Sequence, residues 1–122
     1  MLSKAEEKIM KILWKKKTAY MKDIMEALPT PKPAKTTVST LLKRMIDKNM
    51  VGFEMKGNVR CYAPKVAKKN YFSKRFNEFK QTFFNNSATQ FASFFTKDTN
   101  LSISELEEIQ KLINEEIKRK QK

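Results

Sequence analysis

The segment Thr36–Pro64, TTVSTLLKRMIDKNMVGFEMKGNVRCYAP, decides the fold of the N-terminal half of the chain. Its first part predicts a helix from about Lys35 to Asn49, because apolar residues recur at the spacing of one helix face. These apolar residues are Val38, Leu41, Leu42 and Met45. The second part alternates apolar and polar residues on both sides of Lys56-Gly57-Asn58, which predicts a β-hairpin with Val59 and Cys61 on its buried face.

Two further helices are predicted ahead of this segment. Ser3 and Glu6 have the spacing of a capping box in front of an apolar helix face, which predicts a helix over about Lys4–Lys16. A second helix is predicted from about Tyr20 to Leu28, where prolines follow and end it. Three helices and a hairpin, in this order, are typical of a winged helix-turn-helix domain, here expected at residues 1–64.

The remaining residues, 65–122, are predicted to be helical, so the fold class is mainly α with a small β-hairpin. Eight of the nine Phe residues fall within residues 72–95, and a second capping box at Ser102 and Glu105 begins a last amphipathic helix. Because so short a segment rarely buries this much apolar surface alone, we expect a helical dimerisation domain whose core is shared by two chains. Its expected core residues are Phe72, Phe76, Phe79, Phe83, Phe91, Phe94, Phe95, Leu106, Ile109 and Ile113.

Composition and charge favour a polyanionic partner and argue against catalysis. The 122 residues include 26 Lys+Arg and 13 Asp+Glu, for a net charge of +13, and the excess lies within residues 1–80. With no His, one Cys and two Gly, the chain lacks the residues for an imidazole-assisted nucleophile, a Cys/His zinc cluster or a glycine-rich phosphate loop. We therefore expect no enzyme, no metal site and no cofactor.

The expected partner is a double-stranded DNA operator. The polar face of the third helix and the hairpin carry cations and hydroxyls, which hydrogen-bond to phosphates and base edges. The candidate DNA-binding residues are Lys35, Thr36, Thr37, Ser39, Thr40, Lys43, Arg44, Lys56, Asn58 and Arg60. A homodimer would present two such helices to two half-sites about one turn of DNA apart.

Two other functions fit the same composition. The basic surface could dock an acidic protein, in which case the chain is a protein-interaction module without specific DNA binding. The Phe stripe and the cations of Lys65–Lys80 could instead bind a membrane surface. No apolar run is long enough for membrane insertion and no signal-peptide pattern is present, so a cytoplasmic location is expected. Cys61 is interpreted as a buried structural thiol, with a redox sensor as the alternative.

Three runs resemble the penicillinase-repressor family, BlaI/MecI: AEEKIMKILWKKK (Ala5–Lys17), Thr36–Pro64 as quoted above, and NLSISELEEIQKLINE (Asn100–Glu115). The resemblance implies a dimeric bacterial repressor of antibiotic-resistance or stress-response genes that binds palindromic operators. It implies DNA contacts by the third-helix positions, of which position 39, often Arg in the family, is Ser here.

The resemblance also implies how repression ends. Family members commonly act with a membrane metalloprotease receptor, whose signal leads to cleavage in the dimerisation domain at an Asn-Phe bond. The corresponding place here is near Ser93 and Phe94, without the Asn. Copper-responsive relatives carry a paired-cysteine motif near the C-terminus, which this chain lacks.

Overall fold

Three helices, a three-stranded antiparallel sheet and the start of a fourth helix make up the first of two compact units, which extends to Ser73. The computed structural model describes residues 2–122, so Met1 of the predicted first domain lies outside the described residues. We call residues 2–73 the N-terminal unit. Its elements are α1 (Lys4–Lys16), β1 (Ala19–Tyr20), α2 (Met21–Ala27), α3 (Lys35–Asp47), β2 (Val51–Lys56) and β3 (Val59–Pro64).

The helices follow the predicted pattern, with differences at their ends. In α1 both halves of the capping box are formed: the Ser3 N–H donates to Glu6 Oε1 at 2.8 Å and the Glu6 N–H donates to Ser3 Oγ at 3.2 Å. The second helix ends at Ala27, since Leu28 is extended ahead of a proline. The third helix ends at Asp47, two residues before the predicted end at Asn49. Asn49 has a φ of 62°, in the left-handed region.

The sheet has the strand order β1-β3-β2, and β1 was not predicted from the sequence. Phe53 lies opposite Tyr62 in the hairpin, and Met55 lies opposite Arg60. The hairpin itself is confirmed, and Cys61 is buried as expected. The expectation for Val59 is wrong: its side chain is 55% exposed, because it lies at the turn end of the hairpin, where every residue from 53 to 60 is exposed.

One continuous core holds the N-terminal unit together. Its largest fully buried side chains come from all three helices and the first residue of β2. They are Ile9, Met10, Leu13, Ile24, Val38, Leu42, Met45 and Val51. Because α3 contributes three of them, its position relative to the rest of the unit is fixed by packing.

A buried carboxylate links α1 to the residue that directly follows α3. Glu6 is 2% exposed, and Lys48, directly after α3, donates to both of its carboxylate oxygens at 2.9 and 3.1 Å. Burial alone raises the pKa of Glu6, but the hydrogen bonds from Ser3 and Lys48 outweigh it, so the pKa lies below its ordinary value. The ion pair therefore connects α1 with the end of α3.

The residues directly after the hairpin also pack on α1. Trp14 Nε1 donates to the Val66 carbonyl at 2.8 Å, and its ring lies 5.7 Å from the rings of both Tyr71 and Phe72. The N-terminal unit therefore ends nine residues beyond Pro64, the predicted domain boundary. The functional division at Pro64 stays a prediction.

The second compact unit, Lys74–Lys122, is entirely helical, and we call it the C-terminal unit. It contains the end of α4 (Lys68–Phe84), α5 (Ala88–Asp98) and α6 (Ile103–Gln121). Ser87 caps α5, and the predicted box of Ser102 and Glu105 caps α6. None of residues 74–122 is buried. Among residues 2–122, no helix combines the length and the apolar character needed to cross a bilayer.

Candidate nucleic-acid interface

The polar face of α3 is open to solvent along its whole length. All seven of its predicted DNA-binding residues are exposed, while the opposite face is anchored in the core by Val38, Leu42 and Met45. The seven are Lys35, Thr36, Thr37, Ser39, Thr40, Lys43 and Arg44. None of them contributes to the core, so they are free to contact a ligand.

The start of α3 suits an anionic ligand. Its N-cap is Ala34, which has no side-chain acceptor, and its first turn contains no acidic residue. The first N–H groups of a helix lack partners within the helix and attract phosphates. The Thr40 hydroxyl donates to the Thr36 carbonyl at 3.0 Å, so only its oxygen lone pairs are left for a ligand.

An open groove of about 570 Å³ separates α3 from the hairpin. It brings four predicted DNA-binding residues together, and none of its lining residues is acidic. The lining residues are Ser39, Thr40, Lys43, Ile46, Phe53, Arg60 and Tyr62. Arg60 also lines a neighbouring groove, together with Lys35 at the start of α3.

The other predicted hairpin residues lie elsewhere. Lys56 and Asn58 are exposed at the hairpin turn, where Gly57 has a φ of 65°, and neither lines the groove along α3. The structure thus separates the wing cations into Arg60 beside α3 and Lys56 at the tip.

Sequence reasoning missed the aromatic side of this groove. The Arg60 guanidinium carbon lies 4.2 Å from the centroid of the Phe53 ring, and the Phe53 and Tyr62 rings are 6.1 Å apart. The signal was present in the hairpin register, since Phe53 is opposite Tyr62 and diagonal to Arg60. Diagonal neighbours on one sheet face are within reach of long side chains.

The aromatic residues predicted for dimerisation fall into two groups. Phe72 belongs to the N-terminal unit, where it contacts Trp14 and Tyr71. The others lie in the C-terminal unit, where Phe76 meets Phe91 edge-on at 4.8 Å. Phe84, which the sequence reasoning left out, is central there because its ring contacts three others, those of Phe79, Phe91 and Phe94.

Apolar surface remains uncovered in the single C-terminal unit. Of the predicted dimerisation residues, Phe91, Phe95, Leu106 and Ile109 are half-buried. The exposed ones are Phe76, Phe79, Phe83, Phe94 and Ile113 in the C-terminal unit and Phe72 in the N-terminal unit, with exposed fractions between 41% and 69%.

The predicted cleavage residues, Ser93 and Phe94, lie inside α5 and are both exposed. A protease that binds its substrate as an extended strand would therefore need α5 to open. Among residues 2–122, no three Cys, Asp or Glu side chains are grouped to hold a metal ion.

The described architecture is that of a winged helix-turn-helix protein, in which α3 occupies the position of the recognition helix and the β2–β3 hairpin that of the wing. The sequence profile of the penicillinase repressor family matches residues 2–115, and the chain belongs to this family. It is therefore a transcriptional repressor and not an enzyme. The penicillinase repressor of Bacillus licheniformis is 26% identical over 120 residues, which cover 98% of this chain and 94% of that protein.

Proposed function

We propose that the chain represses transcription by binding a palindromic DNA operator as a homodimer. The observation that carries this proposal is the groove between α3 and the wing, where hydroxyls and cations converge without an acidic neighbour. Ser39 and Thr40 have the reach for base edges, whereas Lys43 and Arg60 supply charge for phosphates.

The dimer part of the proposal is supported by the C-terminal unit. Side chains such as Phe83, Leu112 and Ile113 are more than half exposed in the single chain, although they belong to apolar faces. Exposed apolar surface of this extent marks an interface. A second copy with two-fold symmetry would cover this surface and place two recognition helices on one operator.

The test is selection of the binding sequence from a random pool of DNA duplexes at two salt concentrations. We expect a palindrome whose half-sites are about one turn apart, with affinity falling roughly 10³-fold to 10⁵-fold between low and moderate salt if 6–10 phosphates are contacted. Recovery of unenriched DNA would contradict the proposal and favour the alternative, a basic protein-interaction module.

Two variants test the assigned face. Lys43→Ala and Thr40→Ala are expected to weaken binding to the selected duplex without lowering thermal stability, because both side chains are exposed. Lys111→Ala, an exposed lysine of α6, serves as the matched control for charge and should bind like the wild type. Wild-type affinity of both α3 variants would show that the face is assigned wrongly.

We further infer that cleavage beside Phe94 ends repression of antibiotic-resistance or stress-response genes, through a membrane metalloprotease receptor. The support is that a cut between Ser93 and Phe94 would divide α5 within the aromatic cluster of Phe84, Phe91 and Phe94, and would thereby disrupt the proposed dimer core. In antibiotic-treated cells that contain such a receptor, an immunoblot should show a fragment ending near residue 93. An intact chain together with derepressed genes would contradict this route.

A further inference from the structure

Phe53 is a large aromatic residue on the wing that remains 39% exposed. It lines the groove beside α3, and its face is occupied by the Arg60 guanidinium, whose central carbon is 4.2 Å from the ring centroid. Tyr62, itself buried, contacts Phe53 from the opposite position on β3. The ring of Phe53 is thus placed between the core of the unit and an exposed cation.

We propose that Phe53 is a positioning residue, which holds Arg60 ready to contact a DNA phosphate next to α3. This inference rests on the proposed function and deepens it, because it identifies how the wing cation beside the recognition helix is oriented. Phe53 itself is not expected to contact DNA.

The position of the guanidinium over the Phe53 ring favours a phosphate contact by Arg60. A guanidinium that lies over an aromatic ring keeps its edge N–H groups free, and two of them match two phosphate oxygens. An exposed cation–π contact contributes about 0.5–1 kcal/mol. Restricting a long side chain before binding also avoids part of the entropy loss that accompanies its immobilisation.

The neighbours of Arg60 fit the same ligand. Lys43 lines the same groove and Lys35 lines the adjoining one. No acidic side chain lines the groove that Arg60 shares with Lys43. Asp23 lines the adjoining groove, where its carboxylate accepts a hydrogen bond from the Tyr20 N–H at 2.9 Å. Arg60 projects from a wing strand, and wings lie along the DNA backbone, so we assign it to a phosphate and not to a base edge.

The experiment measures the affinity of the full chain for its selected duplex as a function of salt. Because the proposed dimer contains two copies of Arg60, Arg60→Met should lower the salt slope by about 2, about 1 for each lost phosphate contact. Since both copies of the contact are lost, Phe53→Leu should weaken binding of the dimer about 5-fold to 30-fold. Arg60→Lys should weaken it similarly while the slope stays near wild type, since Lys keeps the charge and loses the planar guanidinium.

A double variant separates positioning from a general structural role. In the Arg60→Met background, Phe53→Leu should cause no further loss of affinity, because there is no guanidinium left to orient. Phe53→Tyr keeps an aromatic ring and should retain wild-type affinity. Arg119→Met, at an exposed arginine near the end of α6, is the matched control for the loss of one arginine.

The inference is overturned if Phe53→Leu binds like the wild type, or if it weakens binding equally with and without Arg60. Either result leaves the proposed function intact, since the wild-type chain still selects its duplex. If the wild-type chain selects no duplex, the proposed function fails instead. Thermal unfolding of Phe53→Leu near the wild-type midpoint shows that the comparison is made on folded protein.

Discussion

The two compact units contain similar amphipathic helices, yet only one of them covers its apolar face within a single chain. In α1, Leu13 is 0% exposed, whereas Leu112 in α6 is 63% exposed. Both helices begin with a Ser/Glu capping box. The difference shows that an amphipathic sequence predicts a helix and its apolar face, but not whether the same chain covers that face.

The difference between the units also matches the separate roles that our proposal gives them, recognition of DNA and dimerisation. Recognition requires a helix held rigidly relative to the wing, and the N-terminal unit provides this through packing and the Glu6–Lys48 pair. Under our proposal, the C-terminal unit gains its stability from a second chain, which makes operator binding depend on protein concentration.

The largest effect is expected from truncating Leu13 in the N-terminal unit, with truncation of Leu112 in the C-terminal unit as the comparison. Leu13→Ala should lower the free energy of unfolding of the N-terminal unit by about 3–4 kcal/mol at any protein concentration, because it leaves a cavity in a closed core. Leu112→Ala should leave that transition unchanged. Denaturant unfolding followed by Trp14 fluorescence measures both, and equal losses in the two variants would contradict the comparison.

A charge introduced on the apolar face of α6 should weaken the association of two chains and should leave the N-terminal unit unaffected. Ile113→Glu should weaken dimerisation by on the order of 100-fold, because a carboxylate would be buried without a partner. Sedimentation equilibrium measures the change, with Lys111→Gln as a control that makes the same change of net charge at an exposed position on the opposite face of α6. If both variants associate like the wild type, this face of α6 is not the interface.

Ionisation of Glu6, the buried carboxylate, predicts that the stability of the N-terminal unit depends on pH. Glu6→Gln should cost about 1.5–2 kcal/mol of its stability at pH 7, the contribution of a hydrogen bond to a charged group. Since the folded pKa of Glu6 lies below its ordinary value of 4.5, the contribution is present above about pH 4.5 and is lost as the pH falls through the folded pKa.

Unfolding of wild type and Glu6→Gln in denaturant at neutral and acidic pH measures this effect. The two stabilities should converge at acidic pH. Glu105→Gln changes the corresponding capping residue of α6 and should leave the N-terminal unit unaffected. A constant difference between wild type and Glu6→Gln at all pH values would show that the ionised form of Glu6 is not what stabilises the unit.

The smallest effect is expected at the helix caps. Ser3→Ala should destabilise the N-terminal unit by about 1 kcal/mol, since the Glu6 N–H loses its acceptor. Ser102→Ala removes the equivalent acceptor of α6 and should lower only the thermal transition that depends on protein concentration. Thermal unfolding at two concentrations distinguishes the two units, and a concentration-dependent effect of Ser3→Ala would contradict their separation.

The sequence predicted local features of the fold better than contacts between distant residues. The capping box and the apolar spacing placed α1 correctly over Lys4–Lys16, because both signals lie within the helix itself. The sequence did not predict β1, because its two residues are too few to show the alternating pattern of a strand. Its pairing with β3 joins residues about forty positions apart.

For the candidate site, the sequence indicated which α3 residues are exposed but not what surrounds Arg60. The third helix shows one apolar face, so its polar face follows directly. The contact between Arg60 and the Phe53 ring depends on the register of the hairpin, and the groove depends on how α3 packs beside the hairpin. Neither can be read from spacing within one element.

The separation of the two units is tested most directly by amide hydrogen exchange of the full chain at high and low protein concentration. We expect amides of α1 and α3 to exchange slowly at both concentrations, and those of α5 and α6 to lose protection on dilution. If α5 and α6 stay protected in a chain that sediments as a 14.3 kDa monomer, the C-terminal unit is stable by itself and the account is contradicted.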